Sequence, residues 1–82
     1  METHKIFAVI PAFNEEKSIP KIIRKARKFA GKVIVVDDGS KDRTSEVAKK
    51  AGAIVLRHVV NLGKGAALKT GCDFALKNKA QY

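Results

Sequence analysis

Three short apolar runs, "IFAVI", "VIVV" and "AIVL", constrain this chain more than any other feature, because each is apolar at odd and even positions alike. Successive strand residues point to opposite faces, so strands of this kind need cover on both sides, as in parallel sheets. The stretches between them have helical spacing. The pattern predicts strands over 5–10, 33–36 and 53–58, with Pro11 closing the first. It predicts helices from Ser18 or Ile19, over 43–51, and over 64–77. Pro20 suits a first helical turn, and Gly31 and Gly52 are natural stops. The expected inner faces are Ile19, Ile22, Ile23, Ala26 and Phe29 on the first helix and Thr44, Val47, Ala48 and Ala51 on the second. On the third they are Ala67, Leu68, Gly71, Cys72 and Ala75. Asp42 or a neighbour is placed to cap the second helix.

An order β-α-β-α-β-α implies an α/β fold, an open parallel sheet of three strands with right-handed crossovers. Such crossovers put the first two helices on one face of the sheet, while the third heads toward a further strand. One face is then expected to be incompletely covered. Self-association through that face or edge, or a helix rearranged to cover it, would be the remedy. Ligands in open α/β sheets bind beyond the carboxyl ends of the strands. The loops "PAFNEE", "DDGSKD" and "NLGKG" all follow strands and so meet on that edge.

A chain of 82 residues is read as a single domain with a small core. Seventeen Lys and Arg against eight Asp and Glu give a formal charge of +9, which suits anionic partners. The stripe Lys21, Arg24, Lys25 and Lys28 lacks interleaved aromatics, which makes nucleic acid the weaker candidate and a solvated face the plainer reading. No run approaches the ~20 apolar residues needed to span a bilayer, and "METHKIF" has no secretory layout. A cytoplasmic protein is expected, with the membrane surface as a further location. Cys72 is the only cysteine, and it is expected to be a buried small hydrophobe. His4 and His58 have no partner at ligand spacing and receive no role.

"NLGKGAALKTG" resembles phosphate loops only in part. For a Walker loop ending at Lys64, the first glycine would fall at His58, and Gly65 stands where Ser or Thr is needed. What remains is a lysine between two glycines at a helix N-terminus, where free N–H groups favour an anion. Asp37 and Asp38 could bind a divalent cation, cap a helix or accept a hydrogen bond from a ligand. Adjacent strand residues face opposite ways, so only one of them should reach a pocket. A carboxylate only accepts, and the N–H groups of uracil or guanine are matching donors. Phe13 offers a platform for a flat ring, and Glu15 an acceptor for sugar hydroxyls.

In this order and spacing, "VIPAFNEE", "VIVVDDGSKDRT" and "NLGKGAALKTG" resemble the N-terminal part of family 2 glycosyltransferases with the GT-A fold. The likeness covers nearly the whole chain. The "GKGAAL" helix start is most similar to the dolichyl- or polyprenyl-phosphate mannosyl- and glucosyltransferase branch. The resemblance implies a Rossmann-like N-terminal half and a site for a nucleotide-diphosphate sugar, a UDP- or GDP-sugar. Pro11, Phe13 and Glu15 would hold the base and ribose, Val36 would line the base pocket, Asp38 would read the base edge, and Lys64 would face the phosphates. Asp37 would shape the loop. The acceptor would be a polyprenyl phosphate at a membrane surface.

The resemblance also implies Mg or Mn in the complete enzyme, held by a downstream Asp-x-Asp motif, together with a catalytic base further on. Neither occurs in these residues, so no catalytic or metal-binding residue is assigned. Transfer needs the leaving diphosphate neutralised and the acceptor deprotonated. The chain is therefore expected to be the donor-binding region of a glycosyltransferase, incomplete as a domain and inactive alone. The alternatives are a stand-alone nucleotide-binding or regulatory module, or a basic-surface binder of nucleic acid or membrane.

Overall fold

The computed structural model describes residues 6–79. Its elements run β1 (Phe7–Ala12), α1 (Ile19–Ala26), β2 (Lys32–Asp38), α2 (Thr44–Lys50), β3 (Ile54–His58) and α3 (Lys64–Lys79). The strands form one parallel sheet in the order β1-β2-β3. The two-sided apolar pattern becomes two cores. Val33 and Val35 of β2 pack with Ile19, Ile23 and Ala48 under α1 and α2. Ile34 and Val36 point the other way and pack with Ala67 of α3. Alternate residues of β1 and β3 divide in the same sense: Ala8, Ile10 and Val55 join the first core, and Phe7, Val9, Ile54 and Leu56 the second.

This alternation continues past the apolar run, with consequences for the site. β2 extends two residues beyond the expected end, pairing Asp37 with Arg57 and Asp38 with His58. By strand periodicity Asp37 belongs to the α1/α2 face and Asp38 to the α3 face. Pro11 does not close β1; it pairs in register with Val36. A proline is tolerated there because β1 is an edge strand of the described sheet.

Three further expectations are corrected. α1 stops at Ala26 with Arg27 as its C-cap, so Phe29 never joins the inner face and is 72% exposed. Gly31 is not the cap; its N–H donates to the Ile6 carbonyl on the way into β2. On α3, Leu68 and Cys72 turn outward, and the inner face is Ala67, Gly71, Phe74 and Ala75. Gly71 sets that rotation. A Cβ there would lie 2.2 Å from Val9 Cγ1 and 3.1 Å from Val36 Cγ2, so only glycine lets α3 lie this close to the sheet. α3 thereby folds back over β1 and β2, covering much of the face that the alternation alone left bare. His4 lies outside the described residues. No helix among the described residues is long and apolar enough to cross a membrane.

Candidate functional site

The loops that leave the three strands are sewn together by side-chain-to-backbone hydrogen bonds. Four of these bonds tie the loop after β1 to the loop after β2. Asn14 N–H donates to Ser40 Oγ at 2.8 Å, and Lys41 N–H returns to Asn14 Oδ1 at 2.8 Å. Glu15 N–H donates to Thr44 Oγ1 at 2.8 Å and Glu16 N–H to Asp42 Oδ2 at 3.2 Å. Asn14 sits at φ 53°, a left-handed conformation that Asn tolerates better than most residues. The Asp42 carboxylate also accepts the Thr44 N–H at 2.9 Å and the Thr44 hydroxyl. It thus caps α2 as expected, from one residue before the formal N-cap position, Arg43.

Asp37 organises the α2 side. Its side chain is fully buried. Oδ1 accepts the Ser40 N–H at 2.9 Å, while Oδ2 accepts the Ser45 hydroxyl and Arg57 Nη1, the latter at 2.9 Å. Arg57 Nη2 reaches on to the Ser40 carbonyl at 2.8 Å. Burial pushes the Asp37 carboxyl up, but the hydrogen bonds from Ser40 and Ser45 and the charge of Arg57 outweigh it and hold it below 3.8.

A lowered folded-state value means that the stabilisation is present above the unfolded value of 3.8 and is lost as pH falls through the folded one. Asp38 and Asp42 are lowered too, so the effects share a sign. Folding stability, followed by circular dichroism in urea, is expected to fall as pH drops below 3.8. Asp37→Asn should flatten that dependence. An unchanged slope in the variant would remove Asp37 from the account.

Asp38 organises the α3 side. Oδ1 accepts the Leu62 N–H at 2.8 Å and His58 Nδ1 at 2.8 Å, and Oδ2 accepts the Gly63 N–H at 2.8 Å. The Leu62 amide, then His58, keep its carboxyl below the ordinary value despite burial. Beyond it, His58 Nε2 lies 2.8 Å from Thr70 Oγ1 on α3. Gly39, at φ 78°, passes directly under the third loop. A carboxylate oxygen has about two lone-pair sites, so Oδ1 is fully used and Oδ2 retains one.

These loops enclose a recess of about 130 Å³ lined by Pro11, Ala12, Phe13, Glu15, Asp38, Asn61, Gly63 and Lys64. Of the six residues singled out from the sequence, five line it together: Pro11, Phe13, Glu15, Asp38 and Lys64. Val36 does not. It is completely buried beneath α3, because its position in β2 points it into the second core. Phe13 is 43% exposed, leaving ring surface free for a ligand, and Lys64 opens α3, where N–H groups lack helical partners. The site therefore joins an aromatic surface, two carboxylates and a cationic helix start. Phe13 and Asn61 also border a second, wider groove of about 490 Å³ with Lys41, Arg57, Val59 and Val60.

Sequence reading missed Asn14, Ser40, Thr44, Arg57, His58 and Asn61. His58 has no partner at ligand spacing in sequence because its carboxylate stands opposite in the β2–β3 register. Equal extension of both strands past their apolar runs was the available signal. The resemblance places the divalent ion on an Asp-x-Asp motif that is not among these residues, and the carboxylates described here are engaged otherwise. Asp37 is paired with Arg57, Asp38 holds two amides and His58, and no cluster of three His, Cys, Asp or Glu suited to a metal occurs among them. Lys21, Arg24 and Lys25 lie exposed on the outside of α1, whereas Lys28, expected on the same stripe, lies exposed in the turn beyond its end.

The sequence model of "Glycosyl transferase family 2" matches residues 7–78. An uncharacterized protein of Methanocaldococcus jannaschii is 54% identical over 76 residues, covering 92% of this chain and 31% of that protein. Human dolichyl-phosphate beta-glucosyltransferase is 38% identical over 87 residues, covering 84% of this chain and 27% of that one. The solved structure of glucosyl-3-phosphoglycerate synthase from Mycobacterium tuberculosis, in complex with Mn2+, uridine diphosphate and glucosyl-3-phosphoglycerate, superposes with a TM-score of 0.67 at 35% identity. That superposition covers 77% of this chain and 26% of the other. This chain spans less than a third of the length of each of the three.

Proposed function

This chain belongs to glycosyl transferase family 2, and from that premise we propose that the recess at the carboxyl edge holds the nucleoside diphosphate of a sugar donor. The observation that carries the reading is the convergence of Phe13, Glu15, Asp38 and Lys64, from three separate loops, on one recess. Phe13 packs against the base, and the free lone pair of Asp38 Oδ2 accepts a base N–H. Glu15 accepts from the ribose hydroxyls, while Pro11 shapes the wall. Lys64 and the start of α3 face the diphosphate, where a cation and free N–H groups favour negative charge. Val36 supports the floor from within the core and does not touch the ligand. The uridine diphosphate complex of the mycobacterial relative supports the choice of nucleotide.

In this reading the 82 residues form one donor-binding unit of a hexosyltransferase that works at a membrane surface. The dolichyl-phosphate relative supports a polyprenyl phosphate as acceptor. Transfer breaks the bond between the anomeric carbon and the diphosphate, and the described residues bind and orient the leaving group. Calorimetric titration with UDP and GDP tests the reading. Binding of one of them is expected, weakened about tenfold or more by Asp38→Ala, since a hydrogen bond to a charged group is worth ~1.5–3 kcal/mol. Asp37→Ala, where it folds, should weaken binding less. Absence of binding at millimolar concentration, or the reverse ranking of the two variants, would overturn the assignment.

A further inference from the structure

We propose that His58 is a positioning residue of the recess, fixing the Asp38 carboxylate so that Oδ2 faces the ligand and linking that carboxylate to α3 through Thr70. The inference rests on the nucleotide-site reading above, and it assigns a role to a side chain that does not itself line the recess.

His58 is the last residue of β3, in register with Asp38, and its side chain is only 11% exposed. An ionised carboxylate can only accept, so the 2.8 Å contact requires a proton on Nδ1. In the neutral ring Nε2 then has only a lone pair, and the Thr70 hydroxyl, at 2.8 Å, donates to it. With the ring neutral, the direction of both bonds follows from Asp38. Among the described residues no buried side-chain polar atom lacks a partner, and the chain Thr70–His58–Asp38 is closed at both ring nitrogens.

That closure decides what Asp38 can offer. Leu62 N–H and His58 saturate Oδ1, while Gly63 N–H takes one site of Oδ2. One acceptor site therefore remains, on one oxygen. With an apolar side chain at position 58, Oδ1 regains a free site, and the carboxylate can present either oxygen. The base site then loses its single register. α3, which begins with Lys64 and carries Thr70, loses its polar tie to the strand ends. Such a change should reduce discrimination as well as affinity. Uracil offers an imide N–H to Asp38, whereas cytosine has a bare acceptor nitrogen in that place, so the ratio of UDP to CDP binding reads the orientation of the carboxylate directly.

The test uses this chain with His58→Leu, which removes both bonds, His58→Asn, which keeps a donor where Nδ1 stands, and Thr70→Val, which removes the hydroxyl at constant shape. UDP affinity is expected to fall about tenfold in His58→Leu, the loss expected for one charge-assisted hydrogen bond. His58→Asn should recover to within about threefold, and Thr70→Val should lose about threefold, as for a neutral hydrogen bond. The preference for UDP over CDP should shrink in His58→Leu and return in His58→Asn. Nitrogen-15 correlation spectra of the unliganded chain should show the Nδ1–H tautomer. Wild-type affinity and selectivity in a folded His58→Leu, or an Nε2–H tautomer, would overturn the proposal.

Should the unaltered chain bind neither UDP nor GDP, the nucleotide-site reading fails by itself, and the positioning role is judged by amide exchange at Leu62 and Gly63. Faster exchange in His58→Leu, slowed again in His58→Asn, supports it; equal exchange in all three sinks it. If His58→Leu does not fold, His58→Asn and Thr70→Val carry the same comparison.

Discussion

Gly39→Ala is expected to remove a large share of this chain's stability and to open the recess in the same step. Gly39 occupies φ 78°, and a side chain there adds about 1–2 kcal/mol of left-handed strain. Its Cβ would lie 2.6 Å from the Asn61 nitrogen and 2.7 Å from the Val60 carbonyl carbon. Both are backbone atoms, so the loop after β3 must move as a whole, which adds an overpacking penalty of about 1–3 kcal/mol. The sum, roughly 2–5 kcal/mol, compares with about 4–12 kcal/mol for the whole fold at 0.05–0.15 kcal/mol per residue. Because the displaced loop carries Asn61 and Gly63, two walls of the recess, ligand binding should fall with stability. Gly65→Ala is the control, since nothing lies within 4 Å of its Cβ. Urea unfolding of both variants decides the matter: equal midpoints would mean that the second and third loops do not pack as described.

Asp37→Ala should have an effect of similar size by a different route. It leaves the buried Ser40 N–H, the Ser45 hydroxyl and Arg57 without their acceptor. An unsatisfied buried donor costs about 1–3 kcal/mol, and breaking a fully buried ion pair about 3–5 kcal/mol. Arg57 is 47% exposed, so water can take over part of its solvation and the lower end, about 3 kcal/mol, is expected. Asp37→Asn, which retains an acceptor for Ser40, should fall between the two. Denaturant midpoints for the three proteins test this order, and an Ala variant as stable as the parent would show that the loop after β2 holds without Asp37.

The two adjacent aspartates, alike in sequence, thus serve different faces. One locks the loop to α2, and the other holds the loop before α3 while keeping a single acceptor site for a ligand. The alternation of strand residues made that division legible in advance. The chemical occupancy of each carboxylate was not, because all its partners except Ser40 lie 8–25 positions away and come into reach only when α2 and β3 pack against β2. Phe29 and Cys72 show the same limit from the apolar side. Helical spacing assigned both inward, but α1 stops before one, and Gly71 turns α3 so that the other faces outward.

Order of elements, parallel pairing, the two-sided sheet and the edge on which the loops gather are properties of local pattern. Period-2 and period-3.6 spacing, with glycine and proline at the turns, determine them wherever a core forms, and the sequence carries them openly. The rotation of α3, the burial of Val36 away from the recess and the Thr70–His58–Asp38 chain are properties of register and close approach. They turn on which Cβ atoms fit between a helix and a sheet and on which donor finds an acceptor within 3 Å. Those conditions are met between residues distant in sequence, so only the folded chain decides them.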